Sequence, residues 1–341
     1  MKQVHIVIPD LFLPPQLASY AYGDLYLPAT QKLLARAQIS PLTADSLEAW
    51  LCERFDVENM AIAPLSLQAD GITAGDSYWL RADPVGISLQ REQMVLQADI
   101  TLTVEESALL CASLNAHFGP DGLRFIAPHP QRWYLQLEKP PGISTYALPQ
   151  VVGSNMHKFL PYGEEALRWH SVINEIQMLF HDHIVNQDRE RLGMRPVNAV
   201  WFWGGGKLIR CIRKSYSHCV GDSALAMAFA LESGMSTQLG SDVLSIADDH
   251  WAGDILLVFE ALRVALLNAD IGQWRIAAQL FENNYATPLL RALAQGHLDK
   301  IIINVPAENG ARQFVVSRSD LLRVWRRPKP FAFYSHSLHS T

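Results

Sequence analysis

The chain has 341 residues, 49% of them apolar and 18% charged, which allows one large α/β domain or two smaller ones and excludes wide disorder. A formal charge of −6 argues against general nucleic-acid binding, which draws on a positive surface. The four cysteines, Cys52, Cys111, Cys211 and Cys219, form no CxxC pair, so they read as reduced, mostly buried thiols rather than metal ligands or a disulfide framework.

Residues 4–9 (VHIVIP) predict a buried strand of a parallel sheet, with Asp10 at its carboxyl end, where open α/β sheets carry their chemistry. Helices are predicted over 29–38 and 43–55. Alternation then predicts a hairpin over 77–87 and 93–98. Thr103 and Glu106 form a capping box for a helix ending near His117. Antiparallel strands follow at 123–127 and 132–138, and one long helix runs over 164–191 to Gly193.

Hairpins and helices without a βαβ rhythm predict an inserted α+β domain over 75–195, within a core made of 1–74 and 196–341. In that core the pattern predicts a strand at 197–203, a turn at 204–206 and a helix capped by Asp222 that ends before Gly234. A strand at 242–246, an apolar helix over 255–267 and strands at 299–305 and 313–316 follow. Ser319 caps a last helix, stopped by Pro328. The N-terminal apolar run is too short for a signal peptide, and 255–267 carries Glu260 and Arg263. The expectation is a cytoplasmic protein with no membrane partner.

No GxSxG elbow, HExxH pair, complete P-loop or GxGxxG is present. The GGGK run at 204–207 is either an ordinary strand-to-loop turn or an anion site ending in Lys207. His181 and His183 flank Asp182, but helical residues two apart point away from each other. Asp248, Asp249 and His250 form a loop cluster that reads as a metal site or as a cap and turn. Arg312, Arg318, Arg323, Arg326, Arg327 and Lys329 face Asp320 alone, which predicts a solvated basic helix or a docking face for an acidic protein partner or for nucleic acid.

Several stretches, taken in order, resemble the archaeal-type cofactor-independent phosphoglycerate mutases. Residues 196–207 (PVNAVWFWGGGK) resemble that family's strand-to-loop motif, and 183–193 (HIVNQDRERLG) its His-Pro-Val-Asn stretch. Residues 221–235 resemble its helix ending in Gly-Met, 27–37 its helix near the N-terminus, and 79–95 and 124–137 its inserted domain. The strings YWLRADPV, LNAHF, RWYL, NEIQMLFHDH and WFWGGG also resemble a bacterial group of RpfE-type regulatory proteins.

The resemblance implies an α/β fold. Its core would be alkaline-phosphatase-like and three-layered around a mainly parallel sheet, with an inserted α+β domain. It also implies two divalent ions, manganese or zinc, that activate a serine for phosphoryl transfer. Asp10 matches the first metal-binding aspartate and Ser66 the nucleophile, although Leu11 and Leu67 replace the residues that usually follow them. The family's later Asp-x-x-x-His and Asp-His motifs are missing, with Asp249 and His250 the remaining metal candidates. Arg81, Asp83, Arg132, Asn186 and Arg189 match the substrate-facing domain, where arginines would clamp a phosphorylated small molecule or serve a domain interface.

Two readings follow. One is a non-catalytic regulatory or ligand-binding protein that needs no cofactor. The other is a mutase or phosphatase using Ser66 with a rebuilt manganese or zinc site.

Overall fold

The computed structural model describes residues 2–90, 92–209, 213–239, 253–308 and 310–336. The strands among them are β1 (Gln3–Val7), β2 (Gln38–Pro41), β3 (Tyr78–Gln90), β4 (Gln93–Gln97), β5 (Arg124–His129), β6 (Arg132–Leu137), β7 (Ala199–Gly206), β8 (His218–Gly221), β9 (Ser236–Leu239), β10 (Ile255–Val258), β11 (Lys300–Val305) and β12 (Arg312–Ser317). The α-helices are α1 (Pro15–Tyr22), α2 (Pro28–Arg36), α3 (Leu47–Phe55), α4 (Ile62–Ala69), α5 (Val104–Phe118), α6 (Leu148–Val151), α7 (Ala166–His181), α8 (Ile184–Arg191), α9 (Ala224–Glu232), α10 (Ala261–Leu267), α11 (Ile271–Phe281), α12 (Thr287–Gln295) and α13 (Phe331–His336). None of these helices is long and apolar enough to cross a membrane.

The chain divides into two units, Met1–Asp56 with Cys211–Thr341, and Val57–Arg210. The first holds a seven-stranded sheet in the order β2-β12-β11-β1-β10-β8-β9. β1 lies between β11 and β10 and is parallel to both, and β8 and β9 continue the parallel set. β12 and β2 close the other side antiparallel. The short VHIV run suits β1 because a central parallel strand is covered on both faces. On one face Val4, Ile6, Ile301 and Ile303 pack with Trp274, Phe281, Leu289 and Leu293 of α11 and α12. On the other, Phe55 of α3 meets Phe229 of α9 at 5.3 Å between ring centres.

Several local expectations change in this unit. Residues 255–267 are a strand and then a helix, because the ILLV run is buried between β1 and β8 before the chain turns at Phe259 and Glu260. Ser223, not Asp222, caps α9, its hydroxyl accepting from the Ala226 N–H. Ser46 caps α3 in the same way, so the helix starts later than residue 43. Among the described residues no basic C-terminal helix forms: Ser319–Leu322 is a single 3-10 turn without a side-chain cap, and Arg312 lies on β12. Asp320 is consumed there by the Ser317 N–H and hydroxyl. The strand expected at 242–246 lies outside the described residues, as does Cys211. Cys52, Cys111 and Cys219 are buried and free. Burial pushes the Cys52 and Cys219 thiols up to about 12 and Cys111 to about 11, which keeps them protonated and unreactive.

The second unit is built on β4-β3-β6-β5, with β7 also pairing β3. β3 is thirteen residues long and borders β6, β7 and β4 along different parts of its length. Trp133, Trp169, Phe180 and Phe202 fill the core beneath α5 and α7. The Thr103–Glu106 capping box forms at the start of α5, an arrangement worth about 1 kcal/mol. The long helix expected over 164–191 is broken at Asp182. His183 caps α8 by accepting the Val185 N–H on Nδ1, while its Nε2 meets Ser113 Oγ at 2.8 Å.

The glycines at 204–206 are strand, not turn. A Cβ on Gly205 would come within 2.6 Å of Tyr78 Oη, and one on Gly206 would overlap Ala61. The run therefore lets β7 lie close against β3 and the segment leading into α4. Because β7 and α4 both pack on β3, this unit takes in 57–74 and 196–210 along with 75–195.

Candidate functional site

Two clusters of charged and hydroxyl side chains stand out, one in each unit. In the second unit β3 places Arg81 and Asp83 two residues apart, hence on one face. Arg81 is directly opposite Tyr134 on β6 and Trp203 on β7. Its guanidinium carbon lies 5.4 Å from the Tyr134 ring centre and 5.1 Å from that of Trp203. Nε and Nη2 of Arg81 both donate to Asp83, at 3.1 and 2.7 Å to Oδ1. Trp203 Nε1 donates to the other Asp83 oxygen at 2.7 Å.

Ser66, only 6% exposed on α4, joins this network. Its Oγ accepts from Arg81 Nη1 at 3.2 Å and lies 2.7 Å from Tyr134 Oη. The Tyr134 hydroxyl donates to Asp70 Oδ2 at 2.6 Å, which leaves Ser66 to donate to Tyr134. Arg132 grips Asp70 through Nε at 3.1 Å and Nη2 at 2.5 Å. Burial opposes charge on Asp70, but hydrogen bonds from Arg132 and Tyr134 outweigh it and hold the carboxyl below its usual range. Burial pushes the Tyr134 phenol well above its ordinary value. A carboxylate so well stabilised is a weak base, and it reaches Ser66 only through a reluctant phenol.

Asn186 and Arg189 serve the backbone. Asn186 donates to the Phe180 and Val197 carbonyls and accepts from the Val197 N–H. Arg189 donates to the Arg195 and Thr101 carbonyls and to Glu106. Lys207 follows β7 and is exposed. The structure thus brings Ser66, Arg81, Asp83 and Arg132 together and places Asn186, Arg189 and Lys207 apart from them in role. Sequence reasoning missed Tyr134 and Asp70. The i, i+2 pairs Arg81/Asp83 and Arg132/Tyr134 on alternating strands were the available signal.

In the first unit three of the parallel strands lead to acidic residues. β1 leads to Asp10, β8 to Asp222 and β10 to Glu260. Asp10 has φ 57°, and its carbonyl accepts from Trp274 Nε1 at 3.0 Å. Arg263 on α10 donates from Nη2 to Glu48 Oε1 at 2.7 Å, and its Nη1 lies 3.5 Å from Glu260 Oε1. Burial raises the Asp10 carboxyl, against the attraction of Arg263 and with Glu48 adding to the rise. Burial likewise raises Glu260, again opposed by Arg263. Glu48 Oε2 is buried without a hydrogen-bond partner. Asp249 and His250, the other metal candidates, lie outside the described residues.

No known protein-family profile matches the chain. A 2,3-bisphosphoglycerate-independent phosphoglycerate mutase of Methanosarcina barkeri is 26% identical over 231 residues, covering 61% of this chain and 57% of that protein. Its Methanosarcina mazei counterpart is 22% identical over 208 residues, covering 54% and 52%. The chain is distantly similar to cofactor-independent phosphoglycerate mutases. The matches span little more than half the length of these relatives. Among solved structures, the PH0037 protein of Pyrococcus horikoshii superposes with a TM-score of 0.54 at 12% identity, over 93% of this chain and 87% of that one, a likeness of mixed α/β fold.

Proposed function

We propose that the chain is a divergent relative of the cofactor-independent phosphoglycerate mutases, with an alkaline-phosphatase-like core, that acts by binding a ligand or partner rather than by phosphoryl transfer. Arg263 carries this reading. Asp10 resembles the first metal-binding aspartate, and a guanidinium, charged at every physiological pH, pairs with Glu48 and Glu260 and attracts Asp10. A two-ion site of manganese or zinc needs several carboxylate or imidazole ligands per ion. The described residues do not fit that demand: no three His, Cys, Asp or Glu side chains among them are grouped to hold an ion. A divalent ion near Arg263 would also meet like charge.

Ser66 supports the reading independently. A serine nucleophile needs an adjacent base or a metal. Here its oxygen accepts from a guanidinium and its proton is directed at a phenol. Kinship with the RpfE-type regulatory group, a cytoplasmic site of action and a phosphorylated small molecule as ligand are the finer parts of this proposal.

One observation favours the alternative, a metal-dependent phosphoryl-transfer enzyme with Ser66 as nucleophile: the partnerless, buried Glu48 Oε2. Calorimetric titration of metal-stripped protein with manganese and with zinc at neutral pH decides between them. Absence of saturable binding is the expected result. Two tight sites, weakened by Asp10→Ala, would establish the alternative.

A further inference from the structure

The sheet of the first unit carries polar side chains where a covered face would ordinarily be apolar. Val4 and Ile6 of β1, Ile301, Ile303 and Val305 of β11, and Phe314 and Val316 of β12 all point into one hydrophobic core. Alternation sends His5, Asn304 and Gln313 to the opposite face. Asn304 and Gln313 are directly opposite in register, and Gln313 Nε2 donates to Asn304 Oδ1 at 2.9 Å. His5 is on the neighbouring strand, its ring edge-on to Tyr216 at 4.9 Å.

These residues line a cavity of about 320 Å³ together with Trp50, Arg54 and Arg213. Trp50 and Arg54 stand four apart on α3 and so share a face. Arg54 Nε donates to Tyr216 Oη at 2.6 Å, which fixes the guanidinium plane and leaves its terminal nitrogens available. Arg213 is exposed, and its backbone is tied to the Phe55 carbonyl at 3.0 Å. The Glu53 carboxylate also lines the cavity and accepts from Thr43 Oγ1 at 3.0 and 3.2 Å. Burial, and then the charges of Arg54 and Lys300, keep the His5 imidazole neutral.

The geometry points to a binding site for a small organic anion: its phosphate or carboxylate group on Arg54 and Arg213, its body against Trp50, and its polar atoms on the Asn304 and Gln313 amides and the His5 imidazole. Two guanidiniums above an aromatic wall match a planar oxyanion in bidentate fashion. The amides and the imidazole offer both donors and acceptors deeper in. The volume is at the small end of ligand pockets. The site deepens the ligand-binding reading but uses neither Asp10, Glu48 nor Ser66, so its test is distinct from the metal titration that decides the proposed function.

The test is calorimetric titration of the full chain with phenyl phosphate, benzoate and inorganic phosphate. The expected result is saturable binding of phenyl phosphate or benzoate, tighter than inorganic phosphate and about 10-fold or more weaker in Arg54→Met and in Arg213→Met. Whichever aromatic anion binds more tightly identifies the preferred oxyanion. Arg213 is exposed, so Arg213→Met should keep the wild-type melting temperature, whereas Arg54→Met also loses the hydrogen bond to Tyr216 Oη and should lower it. Absence of saturable binding by all three probes at millimolar concentration would overturn the proposal. So would binding that neither arginine substitution changes.

Discussion

Arg263 Nη2 lies 2.7 Å from Glu48 Oε1, with the two side chains only 6% and 4% exposed. Desolvating both ions costs most of what their attraction returns, so the pair as a whole adds little stability. Breaking it is another matter. Arg263→Ala leaves Glu48 buried and unpaired, and chemical denaturation should show a loss of about 3–5 kcal/mol. The double variant Arg263→Met/Glu48→Met should recover most of that loss. If the guanidinium stands in for a divalent charge, millimolar manganese should raise the melting temperature of Arg263→Ala more than that of the wild type.

Ser66→Ala removes a shared partner from Arg81 and Tyr134. The expected cost is about 1–3 kcal/mol in equilibrium unfolding. Tyr134→Phe should cost a similar amount, and the double variant less than the sum, because both substitutions break the same chain of hydrogen bonds. Strict additivity would mean that the two hydroxyls do not interact.

Gly206→Ala tests the reading of the glycine run as a packing device. The added methyl would overlap Ala61, and relief requires β7 or the start of α4 to shift. A destabilisation of about 1–3 kcal/mol is expected from overpacking. An unchanged melting temperature would mean the segment yields freely.

His5 makes stability depend on pH. Burial, then the charges of Arg54 and Lys300, lower its pKa from 6.5 to about 4. Above pH 6.5 the imidazole is neutral in both folded and unfolded chains and contributes no pH dependence. Between 6.5 and 4 the unfolded chain takes up the proton and the folded one does not, so stability falls as pH falls, by about 3 kcal/mol across that window. His5→Gln should flatten this part of a stability–pH profile. A slope that persists unchanged would assign the acid sensitivity to other groups.

The strands of the second unit were largely legible because alternation reports burial directly, but in the seven-stranded sheet only β1, β11 and β12 were, and β2, β8, β9 and β10 were not predicted. β1, the β3–β4 hairpin, β5, β6, β11 and the Thr103 capping box fall close to where the sequence put them. The errors have a common cause. Residues 255–267 are apolar throughout, and periodicity cannot separate a buried strand from a buried helix in such a run. The glycines at 204–206 read as a turn because their reason, close approach of Tyr78 and Ala61, comes from distant parts of the chain.

The sequence alone determined a mixed α/β chain of low charge, an acidic residue after the first strand and a serine at 66, since these depend on residue type and short-range pattern. What Asp10 and Ser66 are surrounded by was decided only by tertiary structure. Strand register sets Arg81 between Tyr134 and Trp203, and the packing of α3 and α10 brings Glu48 to Arg263, 215 residues away along the chain. Partners this remote leave no local signature, because a side chain's electrostatic environment is fixed by neighbours in space rather than in sequence.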